Sequence, residues 1–108
     1  MYQTRLLKRA EFELRIIIHY LSGRSKQGAA HLLAAFETSL HQVSQNPLGY
    51  GLAPENVFVD PEIRQFFFKT RRGRVYRTVF TIVKQEIRIL HIRGTGEDLI
   101  YEMEDSES

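Results

Sequence analysis

Lys69, Arg77, His91, Arg93 and Tyr101 are the residues of this 108-residue chain whose types and spacing suit work on a phosphodiester. Cleavage of such a bond needs a group to activate the 2′-hydroxyl, cations on the pentavalent phosphorane and an acid for the leaving oxygen. Either His91 or Tyr101 suits the role of base or of acid. Lys69, Arg77 and Arg93 suit the charge clamp, because arginine grips phosphate through a bidentate fork and lysine adds a point charge. Lys69, Arg71, Arg72 and Arg74, crowded around one turn, form the candidate substrate-binding set. The same cations also read as solvated strand residues whose aliphatic stems cover apolar neighbours. Spacing alone leaves these two readings level.

All of them except Tyr101 lie in the stretch from Arg64 to Arg93, R-Q-F-F-F-K-T-R-R-G-R-V-Y-R-T-V-F-T-I-V-K-Q-E-I-R-I-L-H-I-R. Three runs rich in β-branched and aromatic residues are broken by Arg72-Gly73 and by Lys84-Gln85-Glu86, the pattern of a strand meander with short turns. The stretch holds nine Lys/Arg against one acid, Glu86, for a net charge of +8. Alternate side chains leave a strand on opposite sides. Phe66 and Phe68 thus share a face opposite Phe67 and Lys69, and Tyr76, Phe80 and Ile82 oppose Val75, Arg77, Val79 and Thr81. In the third run Leu90 and Ile92 oppose Ile87, Ile89, His91 and Arg93. Turns of about three residues would set Lys69 against Arg77, and Arg77 against Arg93, on neighbouring strands. Like charges directly opposite cost stability, so a row of cations calls for an anion. A one-residue slip in either turn would scatter the row.

The rest of the chain must position these strands. Tyr2 to Leu7 is short and partly alternating, an expected edge strand. From Lys8 the period becomes helical: Phe12, Ile16, His19 and Tyr20 recur, with Ala10, Leu14, Ile17 and Leu21 beside them, for about four turns with a wide apolar face. Gly23 falls near the C-cap, and Ser25 is placed to cap the next helix. That second helix is predicted from Lys26 to Ser44, with Ala29, Leu32, Leu33, Phe36, Leu40 and Val43 as its stripe, and so short a connection makes the two a hairpin. Asn46-Pro47 ends it, since the residue before proline avoids the α region. A loop over 47–62 leads into the sheet. After the meander, Gly94 to Glu97 reads as a turn and Leu99 to Tyr101 as a short strand or helical turn. The expected fold is α+β, β-α-α-β-β-β, with a helical hairpin on one face of a small, mostly antiparallel sheet. Phe66, Phe68, Tyr76, Phe80, Ile82, Leu90 and Ile92 should meet the helices, leaving the cationic face open.

Composition bounds the function. At 108 residues one core is available, and 43% hydrophobic with 26% charged residues is ordinary for a globular chain. One domain over 1–101 and an acidic, disordered tail over 102–108 are expected. Without cysteine there is no disulfide framework, thiolate metal site or Cys nucleophile. No apolar run approaches the roughly 20 residues that span a bilayer, so a cytoplasmic protein with no membrane partner is expected. Residues 1–63 carry six positive and six negative side chains, whereas 94–108 hold six acids and no base. Glu102, Glu104, Asp105 and Glu107 would fold over the basic surface and weaken its hold on phosphate. His19, His31, His41 and His91 lack ligand spacing, Gly94-Thr95-Gly96 lacks the lysine of a phosphate loop, and no nucleophile elbow is present. No cofactor or metal is expected.

The order strand, helical hairpin, Asn46-Pro47, then I-R-Q-F-F-F-K, V-Y-R-T-V-F-T-I and I-R-I-L-H-I-R resembles the RelE/ParE toxin superfamily, from Tyr2 to Asp98. The resemblance implies the toxin of a bacterial type II toxin–antitoxin pair, of the kind also described as plasmid stabilisation proteins. A cognate antitoxin would neutralise it by wrapping a segment around it in a hetero-oligomer. RelE-like members cut messenger RNA in the ribosomal A site, while ParE-like members poison DNA gyrase. On this resemblance Arg77 falls on the arginine with which RelE-like enzymes stabilise phosphate, Lys69 near a catalytic lysine, and Tyr101 near a contributing C-terminal tyrosine. Two features depart from the RelE-like set. Arg93-Gly94-Thr95-Gly96-Glu97-Asp98 puts glycine and glutamate where arginines are common, and Phe67 stands where a second lysine is used. Together with the long hairpin, they tilt the reading toward a ParE-like, non-hydrolytic toxin. A messenger-RNA endoribonuclease is the alternative enzyme, and a non-toxic module that binds antitoxin or nucleic acid is the third reading.

Overall fold

Period-two runs build one sheet and two amphipathic helices cover it. The computed structural model describes residues 2–57, 62–70 and 73–94. Its elements are β1 (Gln3–Leu6), α1 (Lys8–Ser22), α2 (Lys26–Gln45), β2 (Arg64–Phe68), β3 (Tyr76–Val83) and β4 (Glu86–Gly94). The described strands form a single sheet in the order β1-β4-β3-β2. β1 runs parallel to β4, and the β4–β3 and β3–β2 pairs are antiparallel. The expected order of elements along the chain, the helical hairpin and the α+β class are all present. The expected elements over 95–101 and the tail over 102–108 lie outside the described residues.

The caps fall where the sequence places them. Gly23 is the C-cap of α1, and Ser25 Oγ accepts the Gly28 N–H at 2.9 Å. The main core joins Ala10 of α1 and Leu32, Phe36 and Val43 of α2 to Phe66, Phe68, Tyr76, Phe80, Ile87, Ile89 and Ile92. The Phe36 ring anchors it, 5.1 Å from Phe68 between centroids. A buried side chain of this size contributes roughly 1.5–3 kcal/mol.

α1 turns its other stripe inward. Leu14, Ile17, Ile18 and Leu21 pack on the core with Ala10. Phe12, Ile16 and Tyr20 are 52%, 51% and 61% exposed. Both stripes have helical spacing, and periodicity does not say which one a sheet will cover.

Three expectations about the sheet need correction. The β2–β3 register pairs Phe67, not Lys69, with Arg77, because the connection runs from Phe68 to Tyr76 instead of closing in about three residues. A slip of two residues keeps every face but removes Lys69 from the row. The β3–β4 turn is also tighter than expected, with Val83 paired to Glu86 and Lys84 at φ 58°. The resulting offset is undone by a bulge: Val79 pairs with His91 and Phe80 with Ile89, leaving Leu90 as the extra residue. Arg77 therefore does oppose Arg93. The bulge also changes which residues reach the helices. Ile87, Ile89 and Ile92 join the main core, while Leu90 belongs to a second cluster with Leu7, Ala53, Ile63 and Val79.

That second cluster is the third correction. The face opposite the helices is not open, because the loop between α2 and β2 folds across it. Ala53 N–H donates to Ile63 O, Leu52 bridges Arg64, and Thr81 Oγ1 donates to Glu62 O. Ala53 and Ile63 are buried on Val79 and Leu90.

Candidate functional site

The covering loop carries a short 3-10 segment, Pro54–Val57, that delivers Glu55 to the sheet. Glu55 is fully buried, and the Arg77 side chain is only 12% exposed. Arg77 Nη1 donates to Glu55 Oε1 at 2.7 Å and Nη2 donates to Glu55 Oε2, a bidentate grip. Arg77 Nη1 also reaches Gln65 Oε1 on β2 at 3.3 Å. The anion that the cation row calls for is therefore supplied from within the chain. Glu55 stands where an external phosphate was expected.

The remaining candidates disperse. Lys69 is exposed just beyond β2, and Arg93 sits across from Arg77 on β4. His91 is buried at the edge of the bulge, where its Nδ1 lies 3.2 and 3.3 Å from the two Glu13 carboxylate oxygens. A carboxylate only accepts, so Nδ1 holds the proton in that contact. The other ring nitrogen, Nε2, is buried without a hydrogen-bond partner. A base must reach the proton it abstracts, and His91 is turned into the protein. Arg74 stands over the Tyr76 ring, its guanidinium 5.9 Å from the ring centroid. Arg71, Arg72 and Tyr101 lie outside the described residues.

Glu13 has a second task. β1 ends at Leu6, and the Leu7 N–H makes the last contact of that strand, to Ile89 O at 3.0 Å. Further along β4 the Ile92 N–H donates to Glu13 Oε1 at 3.0 Å. A side chain of α1 thus replaces the missing strand neighbour. Burial alone would raise the Glu13 carboxyl. The hydrogen bonds from His91 and Ile92 and the attraction of His91 and Arg9 outweigh it, holding the carboxyl below its usual value near 4.5. Glu86 is held low too, by hydrogen bonds from Arg88 and Arg5.

Sequence reading singled out Arg77 and Arg93 but not Glu55, Gln65 and Glu13, because no fixed spacing links a loop carboxylate to a strand arginine. Among the described residues no group of three or more His, Cys, Asp or Glu could hold a metal ion, and no helix is long and apolar enough to cross a membrane.

A helical hairpin on this mixed sheet is the architecture of the RelE/ParE toxin superfamily. The family model for the ParE toxin of type II toxin–antitoxin systems, parDE, matches residues 4–99, and the chain belongs to that family. It is therefore the toxin of a type II pair, with a cognate antitoxin as its partner. Comparison with curated proteins gives no match, and comparison with solved structures gives none either.

Proposed function

We propose that this toxin poisons DNA gyrase in the cytoplasm and does not itself cut nucleic acid. The observation that carries this reading is the bidentate pair between Arg77 and buried Glu55. A clamp for a phosphorane needs its cations aimed at the developing charge, and Arg77 already spends its fork on a carboxylate. Removing it from Glu55 would leave a buried charge unpaired, at a cost of about 3–5 kcal/mol. Exposed Phe67, where RelE-like enzymes use a lysine, adds support. So does the inward-facing His91, which among the described residues of the sheet was the candidate for proton transfer.

Expression without antitoxin tests this, with messenger-RNA integrity and plasmid supercoiling followed in the same cells. The expected result is intact messages with altered supercoiling or DNA damage. Rapid cleavage of translated messages with normal supercoiling would establish the endoribonuclease instead and return Lys69, Arg77 and Arg93 to a catalytic role. Unimpaired growth would leave a module that binds its antitoxin or nucleic acid without toxicity.

A further inference from the structure

Arg24 and Ser25 of the α1–α2 turn and Thr70, Gly73 and Arg74 of the β2–β3 connection line a cavity of about 490 Å³. That size lies within the roughly 300–1,000 Å³ typical of small-ligand sites. Leu21, Leu32 and Tyr76 supply its apolar wall, Arg24 and Arg74 supply its charge, and His31 adds an imidazole. No carboxylate is among the described residues that line it.

Both arginines are held in place by tyrosines. Arg24 donates to the Tyr20 hydroxyl at 3.0 Å and lies 5.5 Å from the centre of that ring. Arg74 stands 5.9 Å from the centre of the Tyr76 ring, and its guanidinium fills the space above Gly94. A Cβ at Gly94 would collide with that guanidinium. The bare glycine is thus a seat for Arg74. Cation–π contact and a shaped seat reduce the freedom an arginine would lose on gripping a ligand. The first turn of α2 adds little, since Ser25 already caps the Gly28 N–H.

We propose that this cavity binds a phosphate monoester carried on a nucleoside. The donor set favours phosphate over carboxylate. Two guanidiniums, an imidazole and the hydroxyls of Ser25 and Thr70 exceed what two carboxylate oxygens accept, and a monoester offers three oxygens and nearly two negative charges. The apolar wall suits a base, as a bare inorganic ion would leave most of the cavity unused. The site is separate from the Arg77–Glu55 pair and does not depend on which machine the toxin attacks.

Titration calorimetry on the full chain, with adenosine 5′-monophosphate, adenosine and succinate as probes, tests the assignment. Saturable binding of the monophosphate is expected, with neither adenosine nor succinate competing at equal concentration. Arg24→Ala and Gly94→Ala should each weaken it about tenfold, the scale of losing one charge-assisted hydrogen-bonding group. Arg15→Ala, which removes an exposed charge elsewhere on α1, should leave it unchanged. A 5′-phosphorylated oligonucleotide binding more tightly than the free nucleotide would support the site as a reader of nucleic-acid ends. Equal affinity would support a free nucleotide as the ligand. Absence of saturable binding, succinate binding as well as the nucleotide, or equal losses in Arg15→Ala and Arg24→Ala would overturn the proposal. Thermal melts of each variant separate loss of the site from loss of the fold.

Discussion

Arg77 and Glu55 show how one loop carboxylate can occupy a strand cation whose spacing suited it to phosphate. Arg77→Ala strands a fully buried charge, so denaturant melts should show a loss of about 3–5 kcal/mol. Replacing both partners with apolar residues of similar volume should recover much of that loss, since well-packed apolar groups commonly match or exceed a buried ion pair. Wild-type stability in the single variant would remove the structural role. Loss of toxicity in Arg77→Ala, taken alone, would therefore say nothing about catalysis. Glu13 supports a pH prediction. Its folded carboxyl is held below the usual value, so its contribution is present above about pH 4.5 and lost as pH falls through the depressed value. Melts from pH 6 to about pH 3 should show declining stability, and Glu13→Gln should flatten that decline in part, with Glu86 retaining a share. An unchanged profile would show that Glu13 is not the group being read. The identity of Arg77 was legible from strand alternation, but its partner was not. Glu55 reaches it only through a loop whose path is set by tertiary packing.

At the scale of elements, local chemistry was legible and sheet geometry only partly. Ser25, Gly23 and Asn46-Pro47 mark the helix ends because capping and pre-proline sterics act within a few residues. The bulge at Leu90 left no such mark. It arises from the difference between a tight Lys84-Gln85 turn and the pairing that the lower half of the hairpin adopts, and it moves Leu90 from the expected core face to the covering loop. The choice between the two stripes of α1 was likewise open until the sheet was present. Ile63 now tests the covering loop as a structural layer. It is fully buried with Val79 and Leu90, and Ile63→Ala should cost about 2–5 kcal/mol if the surroundings do not collapse into the space. A loss below about 0.5 kcal/mol, the range of ordinary surface changes, would mean that the loop merely rests on the sheet.

For the molecule as a whole, the +8 of the strand region overstates the charge on offer to a partner. Arg64, Arg77 and Arg88 are already engaged by Glu62, Glu55 and Glu86. Duplex DNA binding measured between low and moderate salt should therefore show log K falling less steeply than the slope of about −8 that nine phosphate contacts would give. A slope near −8 would mean that these ion pairs open on binding and that all nine cations reach the backbone. The parallel pairing of β1 with β4 has a separate consequence for how the cell makes this poison. Gln3 pairs with Glu86, and β4 is the strand that joins β1 to β3. As the chain emerges from the ribosome, β1 and both helices wait for a neighbour that is translated last among the described strands, and such long-range pairing closes slowly. Translation that stops short of Glu86 yields pieces that cannot join the two sides of the sheet, so an interrupted message leaves debris for proteases in place of a toxin.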